Sequence, residues 1–156
     1  MMKKTLAFLM TVLFLFAAGC AEQGADVSVD VEKAADELIA GIKFSDQMSA
    51  VDEKTAQRLF ALGDGDAVKM KVYESTGATA EEVAVFEAKD ADAAGRIRDA
   101  AETRIGDQRD AFQDYQPKEM EKLKDPVLEV QGNYVFLCVS DDKAGAEKII
   151  GGLTGQ

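Results

Sequence analysis

Cys20 is the residue whose chemistry this sequence specifies most completely. It follows Ala17-Ala18-Gly19, which in turn follow an apolar run from Leu6 to Phe16 that begins just after Lys3 and Lys4. Lysines hold the start of such a segment on the cytoplasmic side, and the apolar run sits as a short helix in the translocation machinery. Small residues ahead of the cysteine leave the backbone open to a peptidase, and the thiol takes up diacylglycerol before cleavage. An ordinary secreted protein cut after Gly19 is the competing reading, because Ala17 and Gly19 also satisfy a small-x-small rule. A cysteine at the cleavage point argues for the lipid. The run is too short for a permanent span, which takes about 20 apolar residues, whereas two acyl chains suffice for stable anchoring. The division expected is a signal peptide over 1–19, a lipidated cysteine and tether over 20–30, and one domain over 31–156. The location expected is the outer face of a bacterial cytoplasmic membrane.

Other residues with chemical potential are weaker. Asp90-x-Asp92-x-Ala94-Gly95 resembles the opening of a calcium loop, but Ala94 stands where an oxygen ligand is wanted and Ala101 where the bidentate glutamate belongs. Helix capping by Asp90 is the better reading. Asp64-Gly65-Asp66 is too short to cage an ion and reads as turn chemistry. Glu81 and Glu82 could divide acid and base duties if their environments differed, yet adjacent residues on a strand point to opposite faces. Tyr115, Pro117 and Glu119 fall between a long helix and a hairpin, where a loop can present an aromatic and an acid together. Tyr115 and Glu119 are therefore candidate interaction residues, against the plainer reading of a packed tyrosine and a solvated acid. Cys138, within Tyr-Val-Phe-Leu-Cys-Val, reads as a small buried hydrophobe.

Composition narrows the function further. The 156 residues include no histidine and no tryptophan, which removes the commonest general base, the commonest zinc ligand and any Ser-His nucleophile. Removing residues 1–19 takes away two lysines and no acid, leaving 16 basic against 29 acidic residues and a net charge of −13. Such a surface repels nucleic acid and anionic headgroups, so the membrane contact must come from the lipid on Cys20. With Cys20 acylated, Cys138 has no disulfide partner in the chain. No catalytic set, metal site or cofactor is expected.

The elements that must position these residues follow from periodicity. Val31, Ala35, Leu38 and Ile42 recur at helical spacing after Asp30, a good N-cap. A second helix carries Met48, Val51, Ala56, Leu59 and Phe60, with Asp52 as its cap. Val68, Met70 and Val72 alternate with Lys69, Lys71 and Tyr73 as a half-buried strand does, and Glu82 to Ala88 reads as its hairpin partner on the strength of Val83, Val85 and Phe86. Thr79 and Glu82 also fit a helix capping box, which leaves a helical alternative. Asp90 opens the longest helix, with apolar positions from Ala93 to Phe112. A short helix spans Lys118 to Lys122, two strands meet across Gly132-Asn133, and a last helix starts near Asp142, with Gly151-Gly152 fraying its end. The order ααββαββα implies an α+β domain, a four-stranded and largely antiparallel sheet packed on helices. The two hairpin-helix halves echo each other loosely.

The block Gly77 to Phe86, then Asp107-Gln108 with Phe112 to Pro117, then Gly132-Asn133-Tyr134-Val135 and Ser140-Asp141-Asp142 resemble a family of Gram-positive lipoproteins catalogued as domain of unknown function 4358. The resemblance runs from about Val31 to Ile150. It implies a lipid-anchored extracytoplasmic domain and carries no catalytic or ligand residue with it. The function expected is a non-enzymatic binding or protein-interaction domain with an envelope partner. A small-ligand sensor is the alternative, and a histidine-free hydrolase using carboxylates or a Ser-Lys pair comes third.

Overall fold

The computed structural model of the chain describes residues 28–155. The expected signal segment, Cys20 and the expected tether as far as residue 27 lie outside the described residues. Among the described residues, five helices surround one antiparallel sheet of five strands, and no helix is long and apolar enough to cross a membrane.

Helix α1, Val31–Gly41, begins where Asp30 accepts hydrogen bonds from the amides of Glu32 and Lys33. Strand β1 is the two residues Ser49–Ala50, and α2 follows over Glu53–Leu59 with Asp52 as its cap. The sheet therefore has five strands rather than the expected four. β1 pairs only with Tyr73 and Glu74 at the end of the next strand, and two residues are too few to carry a period-two signal in sequence. They occupy the stretch assigned to the start of the second helix, which begins only after Asp52.

The hairpin of β2, Ala67–Glu74, and β3, Glu82–Ala88, forms as expected. β3 is a strand and not a helix because it bonds to β2 on one side and to β5 on the other. Val83, Val85 and Phe86 suit that doubly covered position. The alternation in β2 breaks at its start: the register shifts between Ala67 and Lys69, and Val68 is left 56% exposed. Helix α3 covers Ala91–Phe112 and ends at Phe112. A 3-10 turn over Pro117–Glu119 leads into α4, Met120–Lys124, and then β4, Val127–Gln131, and β5, Tyr134–Val139. In their turn only Gly132 is left-handed, at φ 58°. Helix α5, Lys143–Thr154, runs straight through Gly151 and Gly152 and stops at Gly155, whose φ of 77° caps it.

The strand order is β1-β2-β3-β5-β4, and alternate residues of the two central strands feed two cores. Ala84, Phe86, Val135, Leu137 and Val139 face α2, α3 and α4 through Phe60, Ile97, Ala101 and Leu123. Val83, Val85, Phe136 and Cys138 face α1 and α5 through Leu38, Ala35, Ala146 and Ile150. This settles the echo between the halves. A two-fold axis relating antiparallel β3 and β5 keeps each face of the sheet, yet α3 and α5 pack on opposite faces, so the halves are not superposable copies.

Helix α3 depends on its cap, because Asp90 accepts from the Ala93 amide at 2.7 Å. Asp90→Ala is expected to cost about 1 kcal/mol, the usual loss of an acidic N-cap, read as a lower urea midpoint with an unchanged slope.

Candidate functional site

The polar groups of the domain converge where the β2–β3 loop delivers Glu81 and Glu82 to the start of β3. Both side chains are completely buried. Being neighbours on extended backbone, they leave the strand on opposite sides, and each heads a separate network.

Glu81 accepts from the backbone amides of Ser45 at 2.9 Å and Asp46 at 3.0 Å, from the Ser45 hydroxyl at 2.9 Å, from Thr79 Oγ1 at 3.1 Å and from Lys122 Nζ at 3.0 Å. Lys122 also meets Glu119 at 3.1 Å and Asp141 at 3.6 Å. Glu119 in turn accepts from the Ala80 amide at 2.9 Å. Burial pushes the Glu81 carboxyl up, but the hydrogen bonds from Ser45, Lys122 and Asp46 outweigh it and hold the group below the ordinary glutamate range. Burial likewise opposes charge on Lys122, and its bonds to Glu81 and Glu119 prevail, raising its pKa.

Lys122 Nζ also stands 3.3 Å from Ser45 Oγ, the juxtaposition a Ser-Lys hydrolase requires. Its wiring is wrong for that chemistry. A general base must be neutral, whereas Lys122 is held protonated between carboxylates, and the Ser45 hydroxyl donates to Glu81 rather than to the amine. The cluster is a clamp that joins the α1–β1 loop, the β2–β3 loop and α4.

On the other face Glu82 receives Arg104 Nε at 3.2 Å and Gln108 Nε2 at 2.7 Å, while Arg104 Nη2 reaches Glu74 at 2.7 Å. One guanidinium thus serves two carboxylates. Burial is the main reason that the Glu82 pKa is pushed up to about 7, with the nearby Glu74 charge adding to it and Arg104 opposing. Beside this network lies a pocket of about 160 Å³ between the β2–β3 loop and α3. Glu74, Arg104, Asp107, Gln108 and Phe112 are among the residues that line it. Gln108 is 7% exposed, and its Oε1 has no hydrogen-bond partner among the described residues.

The residues singled out in sequence scatter by comparison. Tyr115 is 71% exposed beyond the end of α3, while Glu119 turns inward to Lys122, so the two do not share a surface. Asp90 caps α3, and no three potential ligands gather to hold a metal ion among the described residues. Asp66 does more than turn the chain, since it pairs with Arg96 at 2.7 Å and Lys89 at 3.3 Å and its carboxyl is held at about 2 by Arg96. Cys138 is buried, and desolvation pushes its thiol up to about 11, leaving it inert at neutral pH.

Sequence reasoning missed Arg104, Gln108 and Lys122. Arg104 and Gln108 continue the stripe of Ile97 and Ala101 at helical spacing, so two polar residues on a core-facing stripe were the available signal. Lys122 had none, being one of several charges in Lys-Glu-Met-Glu-Lys-Leu-Lys.

Residues 40–140 match the family model described as Domain of unknown function (DUF4358). No curated protein and no solved structure matches the chain.

Proposed function

The chain belongs to the family described as Domain of unknown function (DUF4358), a description that names no activity, and on that premise we propose that it is a bacterial lipoprotein whose domain binds rather than catalyses. Cys20 carries the lipid and keeps the domain on the outer face of the cytoplasmic membrane. The observation that carries the binding reading is the closed wiring of Ser45, Lys122, Glu81 and Glu119: the groups best suited to nucleophile and base already satisfy one another. A binding domain needs only a shaped surface on a stable frame, and the pocket between the β2–β3 loop and α3 is one such surface.

A protein partner is the second reading, favoured by a groove of about 930 Å³ between α1 and α5. It lies beside Ser28 and Val29, where the chain enters the domain, and Lys33, Glu37 and Lys148 line it.

Two experiments test these statements. Cys20→Ala is expected to move the protein from the membrane fraction to the soluble extracytoplasmic fraction, and retention in the membrane would sink the lipid anchor. Measurable turnover of ester, amide or glycoside substrates, lost in Ser45→Ala, would sink the non-catalytic reading.

A further inference from the structure

Strand β4 ends the sheet at one edge and pairs with β5 alone. Which of its peptide groups stay open follows from its neighbours. The Asn133 carbonyl accepts from the Ala88 amide of β3 at 2.7 Å, and in an antiparallel sheet successive residues turn their peptide groups to opposite sides. Val135, Leu137 and Val139 therefore bond to β3, while Tyr134, Phe136 and Cys138 bond to β4. The residues opposite the latter are Gln131, Glu129 and Val127. The N–H and C=O of Leu128 and Val130 thus point away from the sheet, and they have no partner among the described residues. Besides β5, the described elements packed on β4 are α3 and α5, which lie on its two faces and leave the edge open.

The opposite edge of the sheet is guarded. There β1 is only two residues long, the register of β2 shifts between Ala67 and Lys69, and Lys69 and Lys71 stand along β2. Short strands, irregular register and lysines all discourage pairing with another chain. Over Val127–Gln131 the register is unbroken, and the strand contains no lysine and no proline. Its side chains define the partner. Leu128 packs into the core under α3, and Val130, on the same face, is 38% exposed. Glu129 lies between them on the other face and has no hydrogen bond or ion pair among the described residues. A second copy fits poorly. The antiparallel register that joins the open groups of both copies sets Leu128 against the second copy's Val130. It brings the two Glu129 residues into the closely spaced kind of pair, with Cα atoms about 4.5 Å apart, where like charges destabilise. The preceding chain is no better suited, since residues 21–27 contain Glu22 and Asp26 and no basic residue.

We propose that the open edge of β4 receives an extended segment of a partner protein as a further strand, with a lysine or arginine opposite Glu129 and β-branched residues opposite Leu128 and Val130. In this mode the main-chain bonds supply the affinity and the alternate side chains the specificity. The proposal rests on the binding reading above and deepens it by naming the surface and the partner's chemistry.

The test uses the ¹⁵N-labelled full-length chain in detergent micelles and two capped peptides, Thr-Val-Lys-Val-Thr and Thr-Val-Glu-Val-Thr. Without peptide, the Leu128 and Val130 amides are expected to exchange with solvent at least about tenfold faster than the Glu129 amide, which bonds to β5. The lysine peptide should shift those two amides saturably and slow their exchange. Glu129→Gln should weaken its binding about two- to fivefold, as for an exposed charge pair, and Glu129→Lys should reverse the preference in favour of the glutamate peptide. Val130→Pro removes an outward N–H and no ladder bond, and it should abolish saturation. Because proline also fixes φ, the melting of that variant is followed alongside, and the Glu129 variants carry the test if it does not fold. Equal binding of the two peptides, shifts centred away from β4, or binding indifferent to Glu129→Lys would overturn the proposal. So would slow exchange of the Leu128 and Val130 amides before peptide is added: slowing that grows with protein concentration marks a second copy at the edge, and slowing relieved by deleting residues 21–27 marks the chain's own segment. Any of these results would leave the anchored, binding reading standing, since that reading fails by fractionation and turnover.

Discussion

Replacing Lys122 by methionine is expected to destabilise the domain by about 3–5 kcal/mol, the range for breaking a buried ion pair from one side. The size follows from what remains. Lys122 is 6% exposed and holds Glu81, whose side chain has no exposed surface, together with Glu119. Methionine matches the length of the stem and removes the charge, leaving a buried carboxylate with its hydrogen-bond donors but no counter-ion. Against a total stability of about 5–15 kcal/mol for an ordinary domain, the variant would be marginal at growth temperature. Adding Glu81→Gln to Lys122→Met should recover part of the loss, because the amide oxygen still accepts from the Ser45 and Asp46 amides while no charge is buried. Urea denaturation of the single and double variants measures both effects. A loss below about 1 kcal/mol for Lys122→Met, the scale of a surface pair, would mean that the clamp does not stabilise the fold.

Stability is expected to fall as pH rises from about 4.5 to 7, by an amount on the order of 3 kcal/mol in all, because of Glu82. Its pKa is about 7 in the folded chain against 4.5 for the free side chain. Between those values the folded state keeps a proton that the unfolded state has lost, so the stabilisation is complete below 4.5 and is lost as pH climbs through 7. Glu74 on β2 and Arg104 and Gln108 on α3 are the polar groups that meet this carboxyl, and Arg104 can neutralise only one of the two acids. Glu81 acts in the opposite sense. Its lowered pKa contributes stability above the unfolded value that disappears as pH falls through the folded one. A maximum on the mildly acidic side results. Urea midpoints at pH 5.5, 7.0 and 8.5 should decline in that order for the natural chain, and Glu82→Gln, which mimics the protonated acid, should flatten the decline. A midpoint that rises over this range, or an equal slope in the variant, would refute the assignment.

Much of the frame was readable from local chemistry. Asp30, Asp52, Asp90 and Asp142 announce four helices because a short acid side chain reaches the amides of the first turn only when it sits at the cap. Val83, Val85 and Phe86 mark a strand because their crowded side chains fit a pleated surface. β1 escaped notice because two residues have no period, and the end of α5 was misjudged because Ile150 and Leu153, packed against the core on either side of Gly151-Gly152, hold a turn that propensity alone would let fray. Gly41 of α1 lies so close to α5 that a Cβ there would come within 2.5 Å of Ile149 Cδ1.

The candidate site obeys a different logic. The sequence by itself determined an acidic chain without histidine, a family resemblance and the alternation that sends Glu81 and Glu82 to opposite faces. Only the tertiary structure decided what they meet there: Lys122 lies 41 residues from Glu81, and Gln108 lies 26 residues from Glu82. Lys122 and Gln108 are polar residues whose types suggest solvent, and burial made them partners. Local rules act through a few covalent bonds and so can be read along the chain. Desolvation and charge pairing depend on distance in space, which exists only once the sheet has brought α3 and α4 against the start of β3.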